Sequence, residues 1–66
     1  MNMETPLTDD EIRSLAADYI NLEGYDDSRW ILSVMSQEYP GLFDRKKAMK
    51  LISETVREYI HKPNLP

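Results

Sequence analysis

Only two glycines stand in this sequence, Gly24 and Gly41, and each closes a stretch of apolar residues spaced at the period of an α-helix. Glycine accepts the left-handed backbone in which helices commonly end, and Pro40 beside Gly41 adds a second stop by disfavouring helix in the residue before it. The two stops cut the chain into three segments, and each opens on a helix-start signal. In the first, Leu7-Thr8-Asp9-Asp10-Glu11-Ile12 sets Thr8 as N-cap, Glu11 as its capping-box partner and Leu7 against Ile12 as a hydrophobic staple. Ile12, Leu15, Ala16, Tyr19, Ile20 and Leu22 then share one stripe, opposite Ser14, Asp18 and Asn21, which predicts a helix over 8–23.

The second segment repeats the device. Asp26 is placed to cap and Tyr25 to staple onto Trp30, predicting a helix over 27–39. In the third, Leu42-Phe43-Asp44 precedes a run in which Ala48, Met49, Leu51, Ile52, Val56, Tyr59 and Ile60 keep the helical period, predicting a helix over 44–61 before Pro63 and Pro66. No alternating β-type run occurs, so the expected fold is all-α: a compact three-helix bundle over 8–62, with a flexible arm at 1–7 and a flexible tail at 63–66.

Size limits what such a bundle can do. With 66 residues it makes one domain, whose core alone rarely supplies more than about 3–5 kcal/mol, so self-association is an open option. The chain has no cysteine, hence no disulfide framework, thiolate metal site or cysteine nucleophile, which fits a reducing compartment and makes the cytoplasm the expected location. Its longest run of large apolar residues, Trp30-Ile31-Leu32, is far short of a membrane span, and Met1-Asn2-Met3-Glu4 lacks the basic start of a signal peptide, so no membrane role is expected.

Charge is divided by position. Residues 1–44 carry ten acids against Arg13 and Arg29, whereas 45–66 carry six basic residues against Glu54 and Glu58. Half of all the lysines and arginines fall in Arg45, Lys46, Lys47 and Lys50, at the start of the third helix, where cations oppose the helix dipole by roughly 0.3–1 kcal/mol each. On a helical wheel Lys46, Lys47, Lys50 and Arg57 point outward and Arg45 lies at the edge of the apolar stripe. A solvated face would pair Asp44 with Lys47, Glu54 with Arg57, Lys50 with Glu54 and Glu58 with Lys62, each worth only about 0.2–0.5 kcal/mol. A binding face would instead hold an acidic protein or a phosphate.

The second helix is apolar over an arc of roughly 200°, about twice what a helix covering one side of a core needs. The expectation is that Trp30, Ile31 and Val34 enter the core, with Trp30 buried, and that Leu32, Met35 and Tyr39 form an apolar strip for a partner or a homodimer. Chemistry proper is sparse. The one histidine, His61, stands at a helix end; the aspartate pairs open helices and lack calcium-loop spacing; the serines have no neighbouring histidine or glycine-rich elbow; and no phosphate loop is present. No catalytic, cofactor or metal residues and no small-molecule substrate are expected.

The resulting expectation is a small non-catalytic module that binds a protein, possible homodimer included, through Arg45, Lys46, Lys47 and Lys50 and through Leu32, Met35 and Tyr39. The alternative is a DNA-binding regulator of helix-turn-helix outline. Helices two and three with a short Pro-Gly turn have that outline, yet Gln37 stands where the motif wants a small residue, and Lys47 and Lys50 where it wants buried apolar ones. The position of the first helix's acids relative to the third helix discriminates the two, because acids beside the basic cluster would face the phosphates.

Overall fold

In the computed structural model, which describes residues 5–60, the elements are α1 (Asp9–Glu23), α2 (Ser28–Glu38) and α3 (Arg45–Ile60). They form an all-α three-helix bundle, as the periodicity requires. Residues 1–4, most of the N-terminal arm, and 61–66, with His61 and the whole tail, lie outside the described residues.

The local signals act as written. Thr8 Oγ1 accepts from the Glu11 N–H at 3.1 Å and the Glu11 carboxylate accepts from the Thr8 N–H at 2.9 Å, completing the capping box. At the other end Gly24 takes φ 77°, the Gly24 N–H donates to the Ile20 carbonyl, and the Tyr25 N–H donates to the Tyr19 carbonyl. This is the Schellman closure, which satisfies two carbonyls that α1 would otherwise leave open. For α2 the cap is Asp27 rather than Asp26, its carboxylate accepting from the Arg29 N–H at 2.9 Å. The Tyr25–Trp30 contact expected of the staple is present, edge to face with centroids 6.1 Å apart. The chain then reverses through Tyr39-Pro40-Gly41-Leu42. The Leu42 N–H donates to the Tyr39 carbonyl and Gly41 has φ 75°, the arrangement of a type II turn, in which proline and glycine fill the two central positions.

Two ion pairs show that α1 and α3 run in the same direction: Asp9 meets Lys47 at 3.4 Å, and one turn further along α1 and two along α3 Arg13 meets Glu54 at 3.7 Å. α2 runs against both. Its start shares a hollow with Ser53, Val56 and Arg57 of α3, while Ser36 near its end meets Arg45. The Leu7 N–H donates to the Leu42 carbonyl at 2.8 Å, which ties the segment before α1 to the turn before α3. Leu7 is therefore held, unlike the free arm expected through residue 7.

The core consists of Ile12 and Ala16 from α1, Ile31, Leu32 and Met35 from α2, and Ala48, Leu51, Ile52 and Val56 from α3. α3 packs against both other helices and supplies half of the buried residues, so it is the central helix. The apolar arc of α2 is real, but it is turned by one residue position, about 100°, from the one expected, so that Ile31 is buried as expected while Leu32 and Met35 take the inward places of Trp30 and Val34. Ile31, Leu32 and Met35 face inward, Val34 is half-buried, and Trp30 is 54 % exposed. A ring of that size cannot enter a core already filled by Met35 and Ile31, both fully buried. It lies instead along the bundle surface against Tyr25. On α3 the inward stripe ends at Val56, leaving Tyr59 and Ile60 exposed.

Candidate functional site

The first turn of α3 holds Arg45, Lys46 and Lys47 and no acid, and its start is stabilised from outside the helix. Asp44 caps it, with a carboxylate oxygen accepting from the Lys47 N–H at 3.0 Å, so a negative charge sits where the helix dipole favours one. That cap spends the Asp44 carboxylate on the backbone, and the Asp44–Lys47 side-chain pair expected from the spacing does not form.

Packing then divides the four basic residues. Arg45 leans onto α2, where its guanidinium donates to Ser36 Oγ at 3.1 Å; that hydroxyl donates in turn to the Leu32 carbonyl at 2.8 Å. Lys47 turns the other way, to Asp9 of α1. Lys46 and Lys50 remain on the outward face, exposed and without an ion-pair partner among the described residues. Arg57 continues their line two turns on, exposed and likewise without a pair among the described residues, bordering a shallow hollow with Asp26 and Asp27. Lys46, Lys50 and Arg57 lie opposite the buried Ala48, Ile52 and Thr55, and make a cationic stripe about 16 Å long at 1.5 Å per residue. Glu54, the acid best spaced to neutralise Lys50 or Arg57, is drawn to Arg13 of α1. Of the intrahelical pairs that a solvated face would make, Glu58 with Lys62 reaches outside the described residues, and none of the others forms: Asp44 caps the helix, Lys47 turns to Asp9 and Glu54 to Arg13.

The outward stripe thus gains Arg57 over the sequence reading and leaves Arg45 and Lys47 at its flanks. Arg57 belongs to the stripe, and the wheel already put it on the same outward face; what hid it was its distance along the chain from the cluster. Lys47 and Arg45 flank the stripe and serve the helix packing.

The apolar strip expected from Leu32, Met35 and Tyr39 is not a surface. Leu32 is 8 % exposed and Met35 is fully buried, both in the core, so neither is available to a partner or a second copy. Tyr39 alone reaches the surface, half-buried along a shallow groove with Leu7, Glu11, Ser14 and Leu15.

One polar contact joins α1 to α2: the Tyr19 hydroxyl donates to the Glu38 carboxylate. Burial pushes the Tyr19 phenol well above its ordinary range, and the hydrogen bond to Glu38 and that carboxylate's charge push the same way. Tyr19 is therefore a fixed donor at neutral pH. The buried Thr55 hydroxyl is also satisfied, donating to the Leu51 carbonyl at 2.8 Å. Among the described residues no three His, Cys, Asp or Glu side chains gather as a metal-binding group, and no helix is long and apolar enough to cross a membrane. His61 lies outside the described residues.

The fold and site together define a class, a three-helix bundle with one cationic outer face. Comparison with models of protein families, with curated proteins and with solved structures finds no match for this chain.

Proposed function

We propose that this chain is a non-catalytic protein-binding module that docks an acidic segment of a partner protein along α3, with Lys46, Lys50 and Arg57 as the contact stripe and Arg45 and Lys47 at its edges. The observation that carries the reading is the disposal of the nearby acids. Asp44 is committed to the helix cap, Asp9 to Lys47 and Glu54 to Arg13, so three cations on one face keep unneutralised charge. Oriented cations of this kind raise the encounter rate with an acidic partner and fix its register more than they add raw affinity. The cysteine-free chain suits the reducing cytoplasm as the place of action.

An acidic protein fits better than DNA. Asp9 lies 3.4 Å from Lys47, and the exposed Asp10 and Glu11 stand in the same turn of α1, so a duplex laid on the start of α3 would bring phosphates towards these carboxylates. The test is Lys46→Glu with Lys50→Glu. Both side chains are exposed, so the fold is expected to persist by circular dichroism while partner capture is lost. Capture that survives the reversal would return the stripe to a solvated face. Random duplex DNA, titrated between about 50 and 200 mM salt, is expected not to bind; a steep salt-dependent affinity would establish the DNA reading instead.

A further inference from the structure

The up-down-up course of the chain gathers the end of α1, the start of α2 and the end of α3 at one end of the bundle, away from the basic start of α3. The four large hydrophobic residues that stay exposed among the described residues, Leu22, Trp30, Tyr59 and Ile60, all fall at that end. Leu22 is 77 % exposed, on the turn above Tyr19, whose ring stacks on Tyr25 at 5.8 Å; Tyr25 in turn meets Trp30 edge to face. The aromatic series is braced from inside, because Tyr19 and Tyr25 pack against the core, and it presents Trp30 to solvent as a preset apolar face. Exposed aromatic side chains held in place in this way are the usual anchors of protein interfaces.

The charge around this end selects the occupant. Exposed Asp18, Glu23, Asp26, Asp27 and Glu58 stand there, against Arg29, which lies 4.0 Å from Asp27, Arg57, and Arg13, which borders the hollow of Asp18 and Glu58 but pairs with Glu54. A second copy meeting this end symmetrically would bring acid against acid, whereas an apolar helix face with lysines or arginines along its edges would meet both the rings and the carboxylates. We propose that this end is a second docking surface, which binds a basic amphipathic helix of a partner protein through Leu22 and Trp30. It uses none of the lysines of the α3 stripe and stands whether or not that stripe binds an acidic protein.

Trp30 is the only tryptophan and reports directly on its own occupation. The probe is a helical peptide of leucine on one face and lysine on the other, labelled for anisotropy, with a leucine–glutamate peptide of the same apolar face as comparison. Saturable binding of the lysine peptide with a blue shift of Trp30 emission is expected, and the glutamate peptide should bind at least about tenfold more weakly. Leu22→Gln with Trp30→Gln should weaken the lysine peptide at least about tenfold. Glu23→Gln with Asp26→Asn, which alters neither a helix cap nor the core, should weaken it about threefold or more, while Lys46→Glu with Lys50→Glu should leave it no weaker. Equal binding of the two peptides, unchanged affinity after the Leu22 and Trp30 substitutions, or no saturation by about 100 μM would overturn the proposal.

Discussion

Two neighbours on α2 illustrate how much a single residue's position matters in so small a core. Met35 and Trp30 are both large and apolar, yet Met35 is fully buried and Trp30 is 54 % exposed. Met35→Ala is expected to lower stability by about 2–5 kcal/mol, since it opens a cavity at the meeting of α2 and α3, whereas Trp30→Ala should cost under about 1 kcal/mol. Urea midpoints for the two variants check this, and acrylamide should quench Trp30 readily in the folded protein. The caps act at the same scale. Replacing Asp44 by alanine removes both the acceptor for the Lys47 N–H and the capping negative charge of a strongly basic helix start. The expected loss is about 0.5–2 kcal/mol, and it should exceed that of Lys46→Ala, which removes no ion pair or side-chain hydrogen bond between described residues.

Between elements, α1 and α2 each pack broadly on α3 and touch each other far less, and the Tyr19 to Glu38 hydrogen bond is the polar contact that joins them directly. Its pH dependence follows from the raised phenol. Between pH 10, the ordinary tyrosine range, and its higher folded value, the unfolded chain releases a proton that folded Tyr19 keeps. The unfolded state then binds fewer protons than the folded one, so stability is fully present below about pH 10 and falls as pH rises, by at most about 1.4 kcal/mol per unit for this one group. Tyr19→Phe should give a shallower alkaline decline, at a cost near neutrality of about 0.5–1.5 kcal/mol. Denaturation midpoints of both proteins across pH 8 to 11 measure it.

For the whole molecule, stability depends on α3. Half of the buried residues belong to it, and no other helix packs broadly against both of its neighbours. A fragment of residues 5–44, carrying α1 and α2 with all their caps, is expected to lose most of its helicity and to show no cooperative thermal transition, because isolated helices of this length are marginal in water. A sharp melting transition in that fragment would mean that the α1–α2 pair holds a core of its own.

What the sequence determined alone is what depends on a few adjacent residues. Thr8 with Glu11, Gly24, and Pro40 with Gly41 each complete their hydrogen bonds or backbone angles within one turn, so the three helices, both ends of α1 and the stop of α2 were legible, while the cap of α2 falls one residue later than read. The outward direction of Lys46, Lys50 and Arg57 was legible too, because on a helix the apolar stripe fixes the opposite face. Tertiary structure decided the rest. The arc of α2 offered two ways to turn inward, and periodicity alone has no term for volume, so only the space left by α1 and α3 placed Met35 inside and Trp30 outside. The partners of Asp9 and Glu54 were likewise beyond local spacing. Each has candidate cations on its own helix, but packing α1 alongside α3 brings Lys47 and Arg13 within reach, and an ion pair forms where side chains meet in space, whatever their separation along the chain.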